Sequence, residues 1–248
     1  MGELLAASAL LAATLKFKGS LILQIQGKGP ISLLVVECTA DLDMRATAKW
    51  DESRVNTMDL SELLGGGLCV ITLASEDGSQ SYQGVVPLEG DTVAQIITGY
   101  MLRSEQLETA MWLAVGPDCA SGLLLQKMPE KDMQDSDDWN RTVQLASTVT
   151  AEEIASLEGS TLLHRLFNDD DISLFEPQSV RFQCTCSTST VASALRMLGK
   201  DDMTDLLRER GKIEVFCEFC NQRYEFDQID MEQLFAGEIA APGNETRH

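Results

Sequence analysis

The chain has 248 residues, 44% hydrophobic and 23% charged, the balance of an ordinary soluble globular protein. That excludes wholesale disorder, a collagen-like repeat and a membrane bundle, and the length suits one large domain or two modest ones. Thirty-nine acids against 19 bases give a formal charge of -20, which opposes contact with nucleic-acid phosphates and with anionic membrane surfaces.

The opening MGELLAASALLAATLKFKG has the apolar core of a signal peptide without its basic lead. Glu3 precedes the core, whereas Lys16 and Lys18 follow it. It reads as a buried or amphipathic helix, and the chain as cytoplasmic. Gly2 and Glu3 enter that helix with no cap, so the chain is expected to begin inside an element. No run reaches the roughly 18 apolar residues of a membrane span.

Residues 1–130 read as strands and turns with one or two helices. Leu21, Leu23 and Ile25 alternate with Ile22, Gln24 and Gln26, and GKGP at 27–30 turns the chain into ISLLVVEC. Strands are expected over Met44–Trp50, Leu68–Ala74 and Tyr82–Val86, with Glu76-Asp77-Gly78-Ser79 as a hairpin turn between the last two. A helix near Asp91, capped by that residue, carries Ala94, Ile97 and Met101 on one face. The apolar runs MWLAV and GLLLQKM follow. Strands and helices without regular alternation predict an α+β domain around a mainly antiparallel sheet.

Residues 131–180 hold 11 acids and three bases, so much of the negative charge gathers there. Thr150 and Glu153 form a capping box ahead of Ile154 and Leu157, and Ser160 or Thr161 can open LLHRLF. The segment reads as a connector of short helices lying on another domain. His164 has no metal-binding spacing around it and reads as a surface or packing residue.

A third unit covers 181–235, with seven bases and seven acids over 181–226, so the net charge is carried elsewhere. Helices are expected over Thr188–Leu198 and Asp202–Arg210, each stopped by a glycine, Gly199 and Gly211. Lys212–Phe216 and Arg223–Phe226 alternate as a small hairpin, and the tail at 236–248 reads as disordered.

Seven cysteines are present, an odd number that argues against a secreted disulfide framework. Cys38, Cys69 and Cys119 stand alone among apolar neighbours and read as small core residues. The other four follow a pattern: Cys184-x-Cys186, thirty residues, then Cys217-x-x-Cys220. Two close pairs can converge on one tetrahedral ion, and Zn²⁺ suits a Cys₄ set best. Asn221, after the second pair, tolerates the left-handed backbone a metal knuckle needs. So small a unit also benefits from a metal staple. A thioredoxin-like use of Cys217 and Cys220 fits poorly, because that chemistry sits at a helix start and this pair sits in a hairpin.

Sulfurs around one zinc lie about 3.8 Å apart, so a sulfenic acid formed on one has a partner within reach. Two uses of such a site fit the spacing: a static structural zinc, and a zinc whose thiolates double as a redox switch. No HxE or HExxH accompanies the quartet to suggest catalytic zinc, and no P-loop is present.

With CxC and CxxC near its C-terminus, and with the segments GELLAASALLAATLKF, LQIQGKGP, YQGVVPLEGDT, RSEQL, LLLQKMP, LLHRLF and FEPQSVRFQCTCS, the chain resembles the redox-regulated 33 kDa chaperonins, bacterial heat-shock holdases. The match runs over nearly the whole length. It implies an α+β substrate-binding and dimerisation domain at 1–130, a metastable helical linker at 131–180 and a redox-switch zinc domain at 181–235. Cys184, Cys186, Cys217 and Cys220 would bind one zinc per chain in the reduced, inactive form. Oxidation would form Cys184–Cys186 and Cys217–Cys220 disulfides and expel the zinc. The linker would then loosen and expose Trp139, Leu145, Ile154, Leu162, Leu163, Leu166 and Phe167. The oxidised protein would hold unfolding client proteins without ATP, as a homodimer, and would not be an enzyme. Members of that family carry about 45 further residues before GELLAA, a strand and a helix, which this chain is expected to lack. The competing readings are a static zinc-ribbon interaction module and a thiol oxidoreductase.

Overall fold

The structure, a computed structural model, describes residues 1–15, 17–76, 81–128 and 136–236. The expected turn at Asp77–Ser79 and the tail beyond Ala236 lie outside them. The chain divides into two compact units between Gln183 and Cys184. Its class is α+β, with antiparallel sheets.

The first unit opens with α1 (Gly2–Thr14). Then come β1 (Gly19–Gly27), β2 (Ile31–Thr39), β3 (Asp43–Trp50), the short α2 (Leu60–Leu64), β4 (Gly67–Ser75) and β5 (Ser81–Pro87). Alternation along β1 places Leu21, Leu23 and Ile25 in the core. These strands join in the order β5-β4-β1-β2-β3, all antiparallel. A two-residue strand, β8 (Arg181–Phe182), adds a parallel edge beside β3. There Arg181 pairs with Asp43 at 2.9 Å.

Next come α3 (Val93–Tyr100), a π turn over Met101–Glu105, and the antiparallel hairpin β6 (Thr109–Val115) and β7 (Ala120–Gln126). α1 contacts the large sheet through β1, β2 and β3 and also the β6–β7 hairpin. A helix covered on two sides needs apolar residues most of the way round, as GELLAASALLAAT supplies. Gly122 permits the close approach, since a Cβ there would come within 2.9 Å of Leu10 Cδ1. Asp91 is not the cap of α3. Thr92 is, accepting from the Gln95 amide, while the Gln95 side chain accepts from the Asp91 amide.

Two sequence segments meet here. Glu89 of EGDT pairs with Arg103 of RSEQL. The Tyr100 hydroxyl donates to Glu105 Oε1 at 3.2 Å, and Gly84 of YQG leaves room for that ring. A Cβ on Gly84 would lie 1.9 Å from the Tyr100 oxygen. Similarly, the amides of Lys28 and Gly29 in GKGP both reach the Leu64 carbonyl at 2.7 Å and close the C-terminus of α2.

The connector forms α4 (Ser136–Ala146), α5 (Ala151–Ser156) and α6 (Gly159–Leu166). Ala146, Ile154, Leu162, Leu166 and Phe167 share a core with Ala114 and Leu123 of the β6–β7 hairpin. The Thr150–Glu153 capping box is present in both directions. Neither Ser160 nor Thr161 opens α6, which starts at Gly159 after Glu158 and has no side-chain cap.

The second unit holds α7 (Thr188–Leu198), α8 (Lys200–Arg210), the hairpin β9 (Ile213–Phe216) and β10 (Arg223–Phe226), and α9 (Gln228–Ala236). Ser187 caps α7, and α8 ends at Gly211 in the left-handed region. α8 starts two residues earlier than expected, because Gly199 at φ 100° turns the chain directly from one helix to the next. Leu195, Met203, Ile213, Phe226, Met231 and Phe235 form its core.

Candidate metal centre

The β9–β10 hairpin explains the position of the second cysteine pair. Ile213, Val215, Tyr224 and Phe226 face or flank the core, while Lys212, Glu214, Arg223 and Glu225 make an ion network on the other face. The turn between the strands carries Cys217 and Cys220. The Cys217 amide donates to the Gln222 carbonyl at 2.9 Å, and the Asn221 amide to the Cys217 carbonyl at 2.8 Å. Asn221 takes φ 58°, the left-handed conformation expected of it.

Cys184 and Cys186 come from the extended segment that leads into α7. Their sulfurs meet those of the hairpin turn, and all four lie within 4.8 Å of one another. Cys184 Sγ is 3.7 Å from Cys217 Sγ, and Cys186 Sγ is 3.4 Å from Cys220 Sγ. These contacts run across the two sequence pairs, and their lengths sit near the roughly 3.8 Å edge of a tetrahedral zinc–thiolate site. Four soft donors, half-buried and spaced for one small ion, fit a Cys₄ metal centre.

The thiols also share their protons unequally. Burial opposes ionisation of Cys184. It is outweighed by hydrogen bonds from the Cys186 amide and the neighbouring thiols, which bring Cys184 down to about 7. At Cys220 the Gln222 amide favours the thiolate, yet burial and the other three sulfurs push it up to about 12. Cys184 thus gives up its proton more readily than Cys220, as expected for acids crowded into one space.

A residue the sequence does not flag joins the group. The Tyr224 hydroxyl donates to Cys186 Sγ at 3.0 Å, and that bond helps hold the phenol up at about 12. Its signal is indirect: Tyr224 stands two residues before the buried Phe226, on the same face of β10.

The remaining cysteines are dispersed. Cys38 and Cys69 are buried in the first unit's core, as expected. Cys119 is not a core residue: it is exposed at the β6–β7 turn, with its thiol 3.4 Å from the Ala155 carbonyl of α5. The apolar run before it ends at the turn, which lifts it to the surface. His164 lies in α6 and is not among the clustered metal-binding side chains.

A family model described as Hsp33 protein matches residues 1–227. A 33 kDa chaperonin from Methylobacillus flagellatus is 52% identical over 250 residues, covering 100% of this chain and 85% of that protein. The chain belongs to the Hsp33 family. A second 33 kDa chaperonin, from Chromobacterium violaceum, is 48% identical, with 100% and 84% covered. The fold agrees with the crystal structure of the Thermotoga maritima 33 kDa chaperonin (Hsp33), at a TM-score of 0.81 and 22% identity, over 97% of this chain and 85% of that one. Hsp33 membership supports a chaperone function for this chain. Among the described residues, no helix is long and apolar enough to cross a membrane.

Proposed function

We propose that this Hsp33 chain is an ATP-independent holdase of the bacterial cytoplasm, switched on by oxidation of its cysteine quartet. The observation that carries this reading is the convergence of the four sulfurs of Cys184, Cys186, Cys217 and Cys220 within 4.8 Å. In the reduced state they hold one Zn²⁺. When bound, the zinc keeps the sulfurs as thiolates and ties the segment before α7 to the β9–β10 turn.

The chemistry of switching belongs to the cysteines. A thiolate attacks hydrogen peroxide, gains an oxygen and releases hydroxide, giving a sulfenic acid. A neighbouring thiol then displaces that oxygen as water and closes a disulfide. Each disulfide consumes one peroxide and removes two donors, so two peroxides empty the site. The pairing proposed is Cys184–Cys186 and Cys217–Cys220, on the strength of the family resemblance.

Without its tie the second unit loses folding free energy. The connector is then the next part to open, because α5 and α6 are too short to persist unless packed. Undocking exposes Ile154, Leu162, Leu166 and Phe167, and with the face they cover these hold unfolding clients, the active form being a homodimer. The test is suppression of aggregation of a thermally unfolding client. Oxidised, zinc-free protein is expected to suppress it, and reduced, zinc-bound protein is expected not to. A static zinc-ribbon module would keep its metal and four thiols after peroxide and give no difference between the two forms.

A further inference from the structure

Tyr224 brings a side-chain hydrogen bond to the quartet from outside it, through its hydroxyl to Cys186. The sulfurs otherwise meet one another, Cys184 with Cys217 at 3.7 Å and Cys186 with Cys220 at 3.4 Å. The hydroxyl is not on a loose arm. Tyr224 sits opposite Val215 in the β9–β10 register, and its ring packs against the core of the second unit. The hairpin that carries Cys217 and Cys220 therefore also aims a donor at Cys186, the far pair's sulfur, 38 residues earlier in sequence.

A hydrogen bond to a thiolate draws charge from the sulfur. It stabilises the deprotonated ligand and fixes its direction, as partners of metal ligands generally do. We propose that Tyr224 is a positioning residue of the metal centre: its hydroxyl orients Cys186, damps the charge on that sulfur and tightens the quartet's hold on the ion. This rests on the reading of the four cysteines as metal ligands.

The test uses the full chain, reduced, with Co²⁺ as the probe, because thiolate-to-cobalt charge-transfer bands report the sulfur's charge directly. Tyr224→Phe is expected to move those bands to lower energy and to weaken cobalt and zinc binding about tenfold in competition with a chelator. Replacing all three tyrosines by 3-fluorotyrosine makes a stronger donor without loss of packing, and is expected to move the bands to higher energy; Tyr82 and Tyr100 belong to the other unit. Val215→Ala loosens the ring's packing but leaves the hydroxyl, and is expected to leave the bands in place. Bands and affinity unchanged in Tyr224→Phe overturn the proposal. If that variant does not fold, bands unmoved by 3-fluorotyrosine overturn it equally. A parent protein that takes up no cobalt overturns the metal-centre reading instead.

Discussion

Burial pushes the Cys69 thiol up to about 12, and burial with the nearby charge of Asp43 pushes Cys38 up to about 11. The core shields both from reagent, whereas Cys220, held up as high, is only half-buried in the quartet. Alkylation of reduced, chelator-treated native protein at pH 8 is therefore expected to mark five cysteines, Cys119, Cys184, Cys186, Cys217 and Cys220, and to spare Cys38 and Cys69 until denaturant is added. Mass mapping of the alkylated peptides checks this, and rapid labelling of Cys69 in the native state would contradict it. A second residue-scale prediction concerns Gly84. The oxygen of the buried Tyr100 occupies the place of its missing Cβ. Gly84→Ala is expected to cost roughly 1–3 kcal/mol through overpacking, seen as a lower unfolding midpoint in urea.

Among the elements, the connector is the one to perturb. Thr150→Ala removes the acceptor for the Glu153 amide, a loss of about 1 kcal/mol to a six-residue helix. Hydrogen exchange is expected to quicken over 151–166 while β1 keeps its protection. Acid should act in the same direction. The Thr150 amide, opposed by partial burial, holds the Glu153 carboxyl below the usual carboxylate range, with Arg165 helping. Its stabilising effect is thus present above the ordinary glutamate range and is lost as pH falls through the lowered value. Glu153→Gln should flatten that pH response. The elements also differ in how much of them the sequence discloses. Cysteine spacing announced the quartet because metal geometry acts over a few residues at a time. The Thr150–Glu153 box, the α7 boundaries and the left-handed Asn221 were legible for the same reason: their causes are local. Thr92 displaced Asp91 as the cap of α3 because both are good caps and the Gln95 side chain decides between them. The settings of Cys119 and Tyr224 are not legible locally, because they come from distant chain: α5 for one, Cys186 for the other. The continuous apolar face of α1 is explained by the β6–β7 hairpin on its second side, which lies far along the chain.

For the whole molecule, a large sheet with α1 behind it supplies a stable body, and short helices and a small second unit supply parts that can open. In the function proposed above, oxidising four sulfurs in the small unit controls what the rest of the chain exposes. The most direct measurement follows zinc release, free thiols and client aggregation together as peroxide is added to reduced, zinc-loaded protein. One zinc released and four thiols lost per chain are expected, with aggregation suppressed in step. Zinc and all four thiols retained while the protein already holds its client, or both lost with no holding activity, would contradict the proposed function.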